Sequence, residues 1–184
     1  MPVLNREMTP EEIEAFRAPY RLLKQKGEVS ALLRRALLAP FQPLKSYARG
    51  DGKSAPEQFA EAIEDAFYAD GDNAGRHRLT PQNRERVLIP LLASRSDDFA
   101  LAVHVYLGWL EGLEDDEIGE LIFLGGIYTG ISHLARGLDV VNRTFAVVTA
   151  AGSGVQFPEM LGKLKAAFTP APAPPPSGRG APGS

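Results

Sequence analysis

The stretch Ser96 to Leu138 reads SDDFALAVHVYLGWLEGLEDDEIGELIFLGGIYTGISHLARGL, and its reading decides the fold. From Phe99 to Leu110 every position is apolar or aromatic except His104 and Gly108. A helix that is apolar all round belongs inside a protein. A polar ring in its middle must then find a partner or titrate, because burying it unpaired costs a few kcal/mol. Gly112 is a good helix stop. The acidic run Glu114-Asp115-Asp116-Glu117 suits the positive N-terminus of a following helix. That helix carries Ile118, Leu121, Ile122 and Phe123 and ends near Tyr128-Thr129-Gly130. The expectation is a buried helical hairpin that holds one ionisable group.

Outward from the hairpin, the upstream chain reads as helices separated by breakers. Thr9-Pro10-Glu11-Glu12 joins a capping Thr, Pro at the first helical position and Glu three residues after the cap. That helix should run to about Lys26 and stop at Gly27. Val29 to Leu38 is a second helix, broken by Pro40 and Pro43. A helical turn over Phe41 to Ala48, a loop over Arg49 to Ala55 and an amphipathic helix from Ser54 to about Ala69 are expected next. Asp70 to Arg78 is a polar loop in which His77 sits between two arginines. Thr80-Pro81 starts another helix, with Val87, Leu88, Leu91 and Leu92 as its apolar stripe and Pro90 as a candidate kink.

Downstream, Ser132 is the expected cap of a helix reaching about Ala150. Gly152-Ser153-Gly154 is a turn, and Pro158 to Phe168 a last amphipathic helix. No β pattern and no solenoid repeat is found. The reading is a single all-α domain over residues 1–168, followed by a disordered Pro/Ala/Gly-rich tail over 169–184.

Composition narrows the function classes. The chain has 184 residues, enough for one domain with a real core. It has no cysteine, which removes disulfides, thiolate metal sites and thiol chemistry. A net charge of −3 gives no general attraction to nucleic acid. No apolar run is long enough to span a bilayer, and no signal core precedes Thr9. The expectation is a soluble, cytoplasmic protein with no nucleic-acid or membrane partner. The carboxylates have no metal-ligand spacing with any His, so neither metal nor cofactor is expected.

Four residues stand out for chemistry. His104 is a candidate general acid or base, against the plainer reading of a satisfied core histidine. Glu85 is placed to face it and tune the ring, or else to pair with Arg84 or Arg86 at the surface. Tyr128 and His133 flank a glycine turn and are candidate hydrogen-bond donors to a bound oxygen, against the plainer reading of a core-edge tyrosine and an exposed histidine.

From Leu79 to Phe145 the sequence resembles the carboxymuconolactone decarboxylase / alkylhydroperoxidase D-like family. Leu79-Thr80-Pro81 with Arg84-Glu85 looks like its opening helix. His104, Gly112 eight residues on, Glu117-Ile118 and Glu120-Leu121 look like its core hairpin, and Tyr128-Thr129-Gly130 resembles its Tyr-x-Gly turn. The peroxidase-linked branch uses a Cys-x-x-Cys pair, and those positions fall on Asp97 and Ala100, so that redox chemistry is absent here. The decarboxylase branch lacks the pair and keeps the histidine. Ser132 stands where the family commonly has proline.

The resemblance implies a helical bundle of that type, residues 79–150 forming its core and 1–75 an N-terminal extension. It implies cofactor-independent acid–base chemistry on a lactone or carboxylate, carried by His104 and Glu85, with a small-molecule substrate and assembly as a homotrimer or hexamer. The alternative is a non-catalytic oligomeric helical protein that keeps the fold.

The tail reading is directly testable. Truncation after Phe168 should leave the melting temperature nearly unchanged, since Pro/Ala/Gly-rich chain contributes no core. A large drop in a thermal melt would show that the tail packs.

Overall fold

The computed structural model describes residues 8–38, 58 and 79–169. Among these it is an all-α bundle of seven helices without a strand. In chain order they are α1 (Pro10–Gln25), α2 (Val29–Leu38), α3 (Pro81–Arg95), α4 (Asp98–Leu110), α5 (Asp115–Thr129), α6 (Ile131–Ala151) and α7 (Phe157–Phe168). The turn over Phe41 to Ala48, the loops around it and residues 170–184 lie outside the described residues. So does the helix expected over 54–69, apart from the helical Gln58.

Local chemistry sets the helix ends. Thr9 accepts a bond from the Glu12 amide while the Glu12 carboxylate accepts one from the Thr9 amide, a complete capping box. Thr80 and Asp97 accept from the amides of Asn83 and Ala100 in the same way. Gly27 and Gly112 take positive φ just past their helices, where a side chain would be strained. Ser96 closes α3 in the left-handed region at φ 58°, a conformation few non-glycine residues adopt. Arg136 reaches from α6 to hold that corner, donating to the Ser96 carbonyl at 3.1 Å and to Asp98 at 2.7 Å.

One expected cap is corrected. Ser132 does not cap α6; it lies in the helix's first turn, and Gly130 is the capping residue. Gly130 has φ 107° and ψ 157°, open to glycine and closed to serine, and this lets α5 turn into α6 through a single residue.

The helix α4 is the axis of the bundle. Every residue from Leu101 to Leu110 is buried. Around it an aromatic cluster joins four helices: Phe16 of α1 meets Trp109 at 5.5 Å, Tyr106 stacks on Phe157 of α7 at 6.0 Å, and Trp109 meets Phe145 of α6 edge-on at 6.0 Å. The N-terminal helices belong to this core. Phe16, Tyr20, Val29 and Leu33 are buried in the same cluster as the hairpin.

A second correction concerns α3. Its inward row is Glu85, Ile89 and Ala93, while Val87 and Leu91 of the expected stripe face solvent. The helix runs on through Pro90, which packs against Gly125 of α5. Among the described residues no helix is long and apolar enough to cross a membrane.

Glycines set the closest approach between helices. A Cβ on Gly126 would stand 2.5 Å from Leu134 Cβ and 3.2 Å from its Cα. One on Gly162, in α7, would meet nothing within 4 Å. Gly126→Ala should therefore destabilise by about 1–3 kcal/mol as α5 and α6 are forced apart. Gly162→Ala should stabilise by about 0.5–1 kcal/mol through helix propensity alone. Denaturant midpoints of the two variants should move in opposite directions; a shared direction would contradict the packing described.

Candidate functional site

Position 104 sits midway along α4, where packing on all sides removes water. The partner comes from α3. His104 Nδ1 lies 2.7 Å from Glu85 Oε2, with Glu85 at 1 % and His104 at 6 % exposure. A carboxylate only accepts, so with Glu85 ionised the ring donates its Nδ1–H and Nε2 becomes the other, basic nitrogen. On the far side of the carboxylate, Arg84 Nε stands 3.6 Å from Glu85 Oε1. That is too long for a hydrogen bond but close enough for charge to matter where solvent screening is weak. Glu85 is thus held between a guanidinium and an imidazole, and at 1 % exposure it is not the surface glutamate of the plainer reading.

The other two candidates lie elsewhere. Tyr128 is 89 % exposed at the end of α5. His133 is exposed in the first turn of α6, its Nδ1 3.0 Å from the Thr129 carbonyl, where the ring N–H donates. The structure brings Glu85 and His104 together and gives neither Tyr128 nor His133 a bond to them. Among the described residues no group of three or more His, Asp or Glu is placed to hold a metal ion.

A second polar cluster, unforeseen from the sequence, adjoins the pair. At the C-terminal end of α4, Glu111 accepts from Tyr20 Oη at 2.5 Å and from Lys24 Nζ at 2.6 and 2.7 Å. Arg17 donates twice to the Trp109 carbonyl, at 2.9 and 3.1 Å, and stacks over the Trp109 ring. Gln82 of α3 donates to the Glu111 carbonyl at 2.7 Å. One signal was legible: an acid at a helix C-terminus opposes the helix dipole and calls for a cation. Arg17, Tyr20 and Lys24 recur on one face of α1 and answer it.

Burial pushes the Tyr20 phenol well above its ordinary range, helped by the neighbouring Glu111 charge and, less strongly, by that of Glu85. Tyr106 is raised by burial alone.

No family model matches the chain, and no curated protein or solved structure is significantly similar to it. The likeness to the carboxymuconolactone decarboxylase family therefore rests on the residues quoted above.

The raised phenols make an alkaline prediction. A group with a raised folded-state pKa adds stability that is fully present below its unfolded value and lost as pH rises. Here the loss begins near pH 10, the ordinary phenol value. In an ultraviolet titration, Tyr20 and Tyr106, of the five tyrosines, should form phenolate only as helical circular dichroism collapses. Ionisation of all five near pH 10 in a folded protein would contradict their burial.

Proposed function

We propose that the chain is a cofactor-independent acid–base enzyme of the carboxymuconolactone decarboxylase-like type, acting on a small lactone or carboxylate, with Glu85 and His104 as its proton-transfer pair. The observation that supports this reading is the buried 2.7 Å contact between the two. Glu85 fixes the ring's orientation and tautomer by accepting from Nδ1–H, which leaves Nε2 as the nitrogen that exchanges a proton. Loss of carbon dioxide from a carboxylated lactone leaves a dienolate that must be protonated at carbon. The imidazolium form of His104 is the acid, and Glu85 stabilises its charge. Arg84 Nε stands 3.6 Å from the other carboxylate oxygen of Glu85.

A second reading is favoured by the depth of burial. At 1 % and 6 % exposure the pair also serves as a buried cross-link between α3 and α4, in a helical protein that performs no chemistry.

The two readings separate in one set of measurements. The wild type is screened by thermal shift against lactones and dicarboxylates, since a ligand of the native state raises apparent stability. Turnover is then followed as carbon dioxide release. On the enzyme reading, His104→Gln folds, keeps ligand binding and loses turnover by roughly 10²–10⁴-fold. Glu85→Gln loses less, and the double variant less than the product of the two. Unchanged turnover in a folded His104→Gln protein ends the catalytic assignment and leaves the cross-link.

A further inference from the structure

The apolar run of α4 is broken at two positions, His104 and Gly108, and the contact with Glu85 accounts only for the first. The two are four residues apart, so they share one face of the helix. Glu85 and Ile89 share one face of α3 in the same way. Gly108 lies where these two faces come closest. A Cβ there would stand 3.0 Å from Leu113 Cδ1, 3.1 Å from Ile89 Cδ1 and 3.4 Å from Glu85 Cβ. Carbon atoms in contact keep ~3.5–4.0 Å apart. Ile89 and Leu113 are fully buried, in close packing that leaves little room to swing away. Glycine inside a helix is otherwise disfavoured against alanine. Position 108 thus holds a residue that suits the helix poorly and the approach of α3 well.

A second contact holds α3 along the same line. Gln82 stands one turn before Glu85, and its Nε2 donates to the Glu111 carbonyl, two turns after His104, at 2.7 Å. The same nitrogen lies 2.9 Å from where a Cβ on Gly112 would be, so the bond closes against bare backbone at the end of α4.

We infer that Gly108 and Gln82 are positioning residues for the Glu85–His104 pair. Gly108 sets how near α3 lies to α4, and Gln82 sets its register. The contact they serve has little slack: a retreat of α3 by ~0.5 Å would carry it from 2.7 Å to the end of the N–H···O range at about 3.2 Å. Both residues act through Glu85 and not on a reacting atom. The inference rests on the proposed function in one respect, that this pair is the one that moves the proton.

Proton exchange at the ring tests it, read by NMR on the full-length chain carrying nitrogen-15 histidine. The His104 Nδ1–H, assigned among the three histidines by its absence in His104→Gln, should exchange slowly with water in the wild type, being buried and bonded. Gly108→Ala and Gln82→Met should each speed that exchange roughly tenfold or more, as the loss of one buried bond to a charged group would. Helical circular dichroism should stay at the wild-type value in both. Adding Ile89→Val to Gly108→Ala removes the atom 3.1 Å from the new Cβ and should slow the exchange again, which a general loosening of the bundle would not allow. Should Gly108→Ala lose its helical signal, Gln82→Met, at a half-buried position, decides by the same readout. Exchange at the wild-type rate in both single variants overturns the inference, and so does a wild type with no protected ring proton. The protected proton is present whether or not the chain turns over a lactone, so a failure of the proposed function shows in turnover and a failure of this inference in exchange.

Discussion

An imidazole at the centre of an apolar helix is the constraint from which the rest of this structure follows. Position 104 lies in the helix that every other layer packs around, so its ring cannot be solvated from outside. The bundle supplies Glu85 at 2.7 Å. That choice places a carboxylate on the inward row of α3, between Arg84 and the ring, and sets the rotation of α3. With Glu85, Ile89 and Ala93 turned inward, Val87 and Leu91 turn out. The buried polar pair and the exposed apolar row are two sides of one helix orientation.

A similar logic fixes the N-terminal helices. Glu111 ends α4 with a negative charge where the helix dipole is already negative. Lys24 and Tyr20 neutralise and bond it, and Arg17 satisfies the Trp109 carbonyl one turn's end away. Phe16 and Tyr20 add aromatic contacts to Trp109 and Phe157. The polar and apolar parts of α1 thus act on the same end of α4. The clamp adjoins the Glu85 carboxylate, whose charge reaches the Tyr20 phenol. A displacement of α1 would expose the Glu111 cluster to water.

How much of this was legible depends on whether the signal was local. Helix starts at Thr9 and Thr80, and stops at Gly27 and Gly112, follow from neighbouring residues. The hairpin Ser96 to Leu138 followed from its apolar density. The inward row of α3 was not legible, because periodicity ranks Val87, Leu88, Leu91 and Leu92 above a row containing glutamate. Glu85 was singled out through resemblance to a family, and only three-dimensional placement shows it against His104. The α1 clamp joins residues about ninety positions apart, beyond any local pattern. Tyr128 and His133 share a turn in sequence, yet that turn lies at the surface rather than beside the pair. An apolar side chain reads alike in sequence whether it is buried or exposed, so Phe123 of α5 looked like core although it is 53 % exposed.

The central claim is that Glu85 and His104 act as one coupled, buried unit. A double-mutant cycle on folding stability, built from Glu85→Gln, His104→Gln and the double variant at neutral pH, measures that coupling directly. The account predicts an interaction free energy of about 1–3 kcal/mol, in the range found for contacting groups within one network. Effects that add to within about 0.3–0.5 kcal/mol, as for distant independent sites, would contradict it.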